Sequence, residues 1–344
     1  MFRIVLILFL IIAGFPFGAF AYEFNKIDTF FNLLEQNYTV KTDLKSLVVK
    51  GCAGLSKFDD NLKLYASDSK AFLYRKQNLI ATFDFPQNEN LEQWKYLLCD
   101  IYSTAAKYSS NLSQNGSEFE NDILNLMAHH LDKYSRLDVS ASPTPVLNTS
   151  VQNNILYVRS QNFYDGFTDD LKKLIYTNPD IEGLILDLRD NHGGSFNEAL
   201  KTADLFLDGA LITYRIEKNT QRQKFYTADK GDILTNKPIV ILTSEHTASA
   251  AEIVVAALSE QSRATLIGTK TYGKGSIQKV HNFAKETLYL TSGYFYSPSG
   301  KTINESGIFP QICTGINHGC NFSDQTNPKK DILTAINFIK KNLG

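Results

Sequence analysis

Apolar positions in the first third of the chain recur with the spacing of helix faces. Phe30, Phe31, Leu33 and Leu34 share one face, and Leu44, Leu47 and Val48 continue the pattern. Residues 91–106 and 119–131 predict two more helices. Residues 71–85 alternate instead, which predicts a strand or hairpin. Residues 108–117 are polar and read as a loop, and Ser140, Ser142, Pro143, Pro145 and Asn148 mark 139–153 as a linker. The texture then changes. Short apolar runs at 155–158, 183–188, 238–242, 264–267 and 288–296 have strand length, and helical patterns at 169–176, 196–207 and 248–258 separate several of them. Apolar strands alternating with helices predict an α/β layer with largely parallel pairing.

The extreme N-terminus is different again. Arg3 precedes an uncharged run from Ile4 to Ala13, followed by Gly14, Pro16 and Ala19-Phe20-Ala21. These are the parts of a secretory signal peptide, with cleavage expected after Ala21. An uncleaved membrane anchor is the alternative, because residues 4–22 carry no charge. The expected organisation is therefore a signal peptide (1–21), a mainly helical region (22–138), a linker (139–153) and an α/β domain (154–344). A periplasmic or secreted protein follows from it.

Charge adds an exclusion. The 344 residues carry 35 basic and 36 acidic side chains, a net charge of -1, so no electrostatic footprint for nucleic acid is present. Export makes the four cysteines candidate disulfides. Cys313 and Cys320 can close a small loop, leaving Cys52 for Cys99, but four cysteines permit three pairings. His318 lies between Cys313 and Cys320, yet the spacing is not that of a zinc site, and neither metal nor cofactor is expected. Glu35-Gln36-Asn37-Tyr38-Thr39 fits an extended acceptor for bacterial N-glycosylation.

Two strand-to-helix junctions carry candidate chemistry, since sites in α/β sheets gather at the carboxyl ends of strands. At Asp187-Leu188-Arg189-Asp190-Asn191-His192-Gly193-Gly194, paired glycines let backbone N–H groups face an anion; the plain alternative is a tight turn. At 243–252, Ser249 and Glu252 fit a Ser-x-x-Glu capping box. The same serine at a helix N-terminus sits where N–H groups would stabilise an oxyanion, so cap and nucleophile remain equal readings. A nucleophilic serine needs a base. Lys274, between Gly273 and Gly275, could serve if burial lowered its pKa; otherwise it is an ordinary loop lysine. His192 and His246 offer a histidine base instead, although His246 is three residues from Ser249 and poorly placed to reach back.

Together these segments resemble the tail-specific, or carboxyl-terminal processing, serine protease family. Thr247-Ala248-Ser249-Ala250-Ala251-Glu252 is similar to its nucleophile motif, Lys274 follows Ser249 by 25 positions, and Gln278 follows the lysine by four. Asp187–Gly194, Tyr296-Ser297-Pro298-Ser299-Gly300-Lys301 and Gly307-Ile308-Phe309-Pro310 match further elements in the family's order, and 131–137 gives a weaker likeness. The resemblance implies an α/β protease core, a ClpP/crotonase-like layering of sheet and helices. It implies peptide-bond hydrolysis of protein or peptide substrates by a Ser249–Lys274 dyad with Gln278 orienting the lysine. It also implies an oxyanion hole from the N–H of Ala250 and of Gly193 or Gly194, with Arg189 and Asn191 holding the turn. One departure stands out. Only 17 residues separate Leu137 from Ile155, too few for the PDZ domain of roughly 90 residues that members usually carry there. Preference for substrate tails is thereby in doubt, and the helical region becomes the candidate for substrate capture or homo-oligomer formation. A non-catalytic peptide- or ligand-binding protein on the same fold is the competing reading.

Overall fold

A computed structural model describes residues 24–138, 145–217, 223–283, 286–315, 320 and 327–343. The expected signal peptide and His318 lie outside them. The first region contains α1 (Asn25–Asn37), α2 (Leu44–Cys52), α3 (Leu55–Phe58), α4 (Leu91–Ala106), α5 (Ser110–Gln114) and α6 (Gly116–Leu131). Asp43, Asn90 and Ser109 cap α2, α4 and α5 by accepting backbone N–H bonds. Between α3 and α4 lies an antiparallel sheet of β1 (Leu62–Ala66), β2 (Lys70–Arg75) and β3 (Asn78–Asp84). The expected hairpin is there, but β1 and the short α5 are additional. A short strand, β4 (Arg136–Asp138), ends the region.

The second region begins with β5 (Leu147–Gln152), so the segment expected as linker contributes an edge strand. Leu147, Thr149 and Val151 alternate along it, a signal weakened by its exposure. The chain continues through β6 (Ile155–Ser160), α7 (Phe167–Thr177), β7 (Gly183–Asp187), α8 (Phe196–Asp204), β8 (Leu211–Glu217), β9 (Gln223–Thr227), β10 (Ile239–Thr243), α9 (Ala250–Glu260) and β11 (Ala264–Gly268). It ends with β12 (Ser276–Phe283), β13 (Glu286–Tyr296), β14 (Ile312–Cys313) and α10 (Pro328–Lys341).

The main sheet has the order β14-β11-β10-β7-β6-β5, and every pairing is parallel except β5 with β6. Its central strands β7 and β10 are buried at every residue, as strands covered on both faces require. One face carries Val158, Leu186, Ile241 and Leu266 against α7, α8 and α9. The other carries Ile155, Ile185, Val240 and Ile267 against Ala335 and Ile339 of α10. A second sheet has the order β12-β13-β8-β9, and β4 pairs with β13. Leu288 and Leu290 of β13 lie in the same hydrophobic core as Phe30, Leu98 and Phe119, so the N-terminal region shares its core with this sheet.

Cys313 and Cys320 form a disulfide, which takes both sulfurs out of any metal site. Cys52 and Cys99 are free thiols, one of the outcomes the sequence left open. Burial pushes both thiols up to about 12, so neither is a reactive thiolate. Asn37 is 8% exposed, its amide donating to Leu33 O and accepting from Lys279 Nζ. The folded protein therefore does not present it as a glycosylation acceptor.

Arg189, 5% exposed, joins β7 to α10: Nε and Nη2 donate to Asp187 and Nη1 to Asp331 at 2.9 Å. Replacing Arg189 by Leu leaves two buried carboxylates without their counter-charge. The expected loss is about 3–5 kcal/mol of stability, read by urea denaturation; a loss below about 1 kcal/mol would contradict this role.

Candidate active site

The carboxyl ends of β7, β10 and β11 open into three loops that meet. The first, Leu188–Gly194, is shaped by Asn191, which accepts the Gly193 N–H at 2.9 Å and donates to Ser160 O at 3.1 Å. Asn191 thus holds the turn, whereas the Arg189 side chain, expected to share that role, bonds Asp187 and Asp331 instead. Gly193 has φ +100, and a Cβ there would stand 2.9 Å from the Ser249 Cβ and 3.0 Å from the Ala250 nitrogen. Only a residue without a side chain lets the turn lie this close to the second junction.

That second loop leads from β10 into α9. Thr247 Oγ1 donates to Leu188 O at 2.7 Å, Ala248 N to Asn191 O at 2.9 Å, and Ser244 Oγ to Arg189 O, stitching it to the first. Ser249 adopts φ 59 and ψ -121, a conformation that is strained for a residue with a side chain and that persists only under surrounding restraint. The restraint is visible: the Ser249 N–H donates to Glu252 Oε2 at 2.9 Å, and the Glu252 N–H returns to Ser249 O at 2.9 Å. The Glu252 half of the capping box is formed, and Ser249 lies half-buried at the mouth of α9. Among the described residues, the N–H groups of Ala250 and Gly194 have no hydrogen-bond acceptor.

The third loop follows β11. Its Tyr272 N–H donates to Thr247 O at 3.0 Å. Glu252, completely buried, accepts from Thr271 Oγ1 at 2.6 Å and from the N–H groups of Gly273 and Lys274, both at 2.7 Å. Burial pushes its carboxyl above the usual range, and the four donors pull against that. The amides of Ser249 and Lys274 converge on one oxygen, Glu252 Oε2, which sets the two backbones side by side. Sequence reading gave Glu252 only a capping role. Its bonds to the lysine loop, 19 to 22 residues further on, depend on how α9 and β11 pack.

Lys274 is half-buried, with Nζ 5.1 Å from the centre of the Tyr134 ring. Burial holds its pKa below the ordinary lysine value and the Arg136 charge lowers it further, while Asp132 and Glu252 act in opposition. Gln278 Nε2 donates to Ser276 Oγ at 2.8 Å and Thr291 Oγ1 at 3.3 Å, and Thr291 Oγ1 donates to Asp132 Oδ1 at 3.1 Å. Among the described residues no bond joins Gln278 to Lys274. Asp132, Tyr134 and Arg136 come from the N-terminal region, and sequence reading gave them no site role beyond the weak likeness at 131–137. The rings of His192 and His246 are exposed and pack edge-to-face at 6.1 Å, with no bond from either to Ser249 among the described residues. The same residues hold no cluster of metal-ligating side chains.

Residues 154–314 match Peptidase family S41. A carboxy-terminal-processing protease of Bartonella bacilliformis is 36% identical over 170 residues, covering 47% of this chain and 39% of that protein. Carboxy-terminal processing protease CtpA of Bacillus subtilis is 34% identical over 163 residues, covering 46% and 35%. The chain thus spans well under two thirds of the length of these relatives. A lipoprotein from Streptococcus agalactiae shares the fold over 96% of this chain and 99% of its own, with TM-score 0.61 and 15% identity.

Proposed function

From a chain whose residues 154–314 form a Peptidase family S41 domain, we propose an exported serine endopeptidase that cleaves protein or peptide substrates through a Ser249–Lys274 dyad. The convergence of both residues' N–H groups on Glu252 Oε2 carries this reading. Ser249 Oγ attacks the scissile carbonyl while neutral Lys274 takes its proton. The ammonium then passes that proton to the leaving amine, and water repeats the cycle on the acyl-enzyme. The oxyanion site is assigned to the N–H groups of Ala250 and Gly194, which lack an acceptor among the described residues, while Gly193 gives its own to Asn191. The bonds from Gln278 Nε2 leave its Oε1 as the end able to receive a hydrogen from Lys274.

The partly desolvated lysine sets the pH dependence. Activity requires the neutral amine, so it rises with pH through the Lys274 pKa, and the limb lies below that of a free lysine near ~10.4. Arg136→Gln removes a like charge that disfavours the ammonium. Its limb should move to higher pH in a kcat/KM profile, and movement to lower pH would contradict the assignment.

No helix among the described residues is long and apolar enough to cross a membrane. The leader motif at 1–21 supports export, with cleavage after Ala21 or retention as an anchor separable by intact mass. With 17 residues between Leu137 and Ile155, substrate capture falls to surfaces other than an inserted PDZ domain.

The test is labelling by a fluorophosphonate and hydrolysis of exported peptides. Wild type should label at Ser249 and cleave, Ser249→Ala should do neither, and His192→Ala and His246→Ala should keep most activity. Persistent silence of wild type would favour a non-catalytic binder on this fold.

A further inference from the structure

The surroundings of the Lys274 side chain are not supplied by residues 154–314 alone. Asp132 closes a turn with its Oδ1, accepting the N–H groups of Tyr134 at 2.7 Å and Ser135 at 2.9 Å. The Ser135 hydroxyl donates to Asp132 Oδ2 at 2.6 Å and accepts the Thr291 N–H at 3.1 Å. Beyond the turn, β4 pairs with β13 from Arg136↔Tyr289 to Asp138↔Thr287. The segment is thus pinned at both ends to the sheet that follows the lysine loop. Tyr134 lies between the pins. Burial, and after it the neighbouring Tyr272, raises its phenol pKa well above the ordinary value. Lys133 Nζ stands 4.3 Å from the centre of the Tyr272 ring, which fixes that ring from its other neighbour. The outcome is a Tyr134 ring whose centre is 5.1 Å from Lys274 Nζ.

We propose that Tyr134 is a positioning residue for the proton-transfer step, its ring face holding Lys274 Nζ toward Ser249 and favouring the ammonium formed when the serine proton arrives. This inference rests on the dyad reading given above. During attack the amine gains the Ser249 proton as Oγ bonds to the carbonyl carbon, so Nζ becomes cationic while the oxyanion develops. An aromatic face attracts a cation through its quadrupole and has little hold on a neutral amine. The stabilisation therefore appears mainly after proton transfer, where it raises turnover rather than substrate affinity. The charged groups facing Lys274 are Arg136 on β4, Asp132 in the turn and Glu252 on α9. None of them supplies a face. The N-terminal region then completes the active site and is not an appended domain.

The test compares Tyr134→Phe, Tyr134→Leu and a fluorinated phenylalanine at 134, which keeps ring shape while draining charge from the face. Tyr134→Phe should stay within about twofold of wild type in kcat, whereas Tyr134→Leu and the fluorinated ring should lose about five- to tenfold with KM little changed. The acid limb of the Leu variant should move to lower pH, because its ammonium is less favoured. NMR titration of the Lys274 side chain should show the same direction without substrate. The inference is overturned if Leu and fluorinated variants keep wild-type kcat and titration, or if Tyr134→Phe falls as far as Tyr134→Leu. Lys274→Ala in the same assay separates the two levels. If it abolishes turnover while the Tyr134 variants are silent, only this inference fails; if it retains turnover, the dyad fails with it.

Discussion

Replacement of Lys274 by Ala is expected to lower turnover by about a thousandfold or more while leaving the fold intact. The serine hydroxyl is a weak nucleophile until a base takes its proton, and removing the base from such a unit removes most of its chemistry. The side chain is half-buried and makes no hydrogen bond or ion pair among the described residues, so its loss should cost little stability. The loop is held by backbone bonds that an alanine keeps, including the N–H of residue 274 to Glu252. Lys274→Arg should be as inactive, since a guanidinium stays protonated and cannot accept the proton. Hydrolysis rates beside thermal melting decide the matter. A Lys274→Ala enzyme within tenfold of wild type, with an unchanged melting curve, would remove the lysine from the mechanism.

The second large effect belongs to Glu252. Its two oxygens accept from Thr271, Gly273, Lys274 and Ser249, and the residue has no exposure at all. Glu252→Leu fills similar space but leaves three backbone N–H groups and a hydroxyl to find other acceptors. Each buried donor left unpaired costs about 1–3 kcal/mol, and partial relaxation makes about 3–5 kcal/mol a fair total. Activity should fall further than stability predicts, because the same bonds hold Ser249 in its strained positive-φ conformation and set the Lys274 backbone beside it. Glu252→Gln should lie between, keeping one oxygen acceptor and turning an NH2 toward donors. Chemical denaturation read with kcat tests both. If Glu252→Leu unfolds within about 1 kcal/mol of wild type and keeps its kcat, the carboxylate neither stabilises the loops nor aligns the dyad.

Much of the α/β layer was legible because its central strands are buried on both faces. Gly183–Asp187 and Ile239–Thr243 read as unbroken apolar runs, and the helices between them keep a clear face. Strands with a wet side were missed. Gln223–Thr227 is almost wholly exposed and carried no strand signal, and Leu147–Gln152, nearly as exposed, fell within the expected linker. The last helix did carry signals, with Asn327 as cap, Pro328 at its first turn and Ile332, Ala335 and Ile339 on one face.

The sequence by itself determined which residues have the chemistry: a serine at a strand-to-helix junction, a lysine between glycines 25 positions on, and a glycine pair after an apolar strand. Those are local facts, because turns and caps are built from near neighbours. Tertiary structure decided what faces what. Glu252 became the acceptor shared by Ser249 and Lys274, Gly193 gave its N–H to Asn191 while that of Gly194 stayed open, and Tyr134 came to lie against a lysine 140 residues away. Hydrophobic periodicity reports which side of an element is buried and carries no record of the partner that buries it. The partner is chosen only when β4 pairs with β13 and the N-terminal region joins the core beneath that sheet.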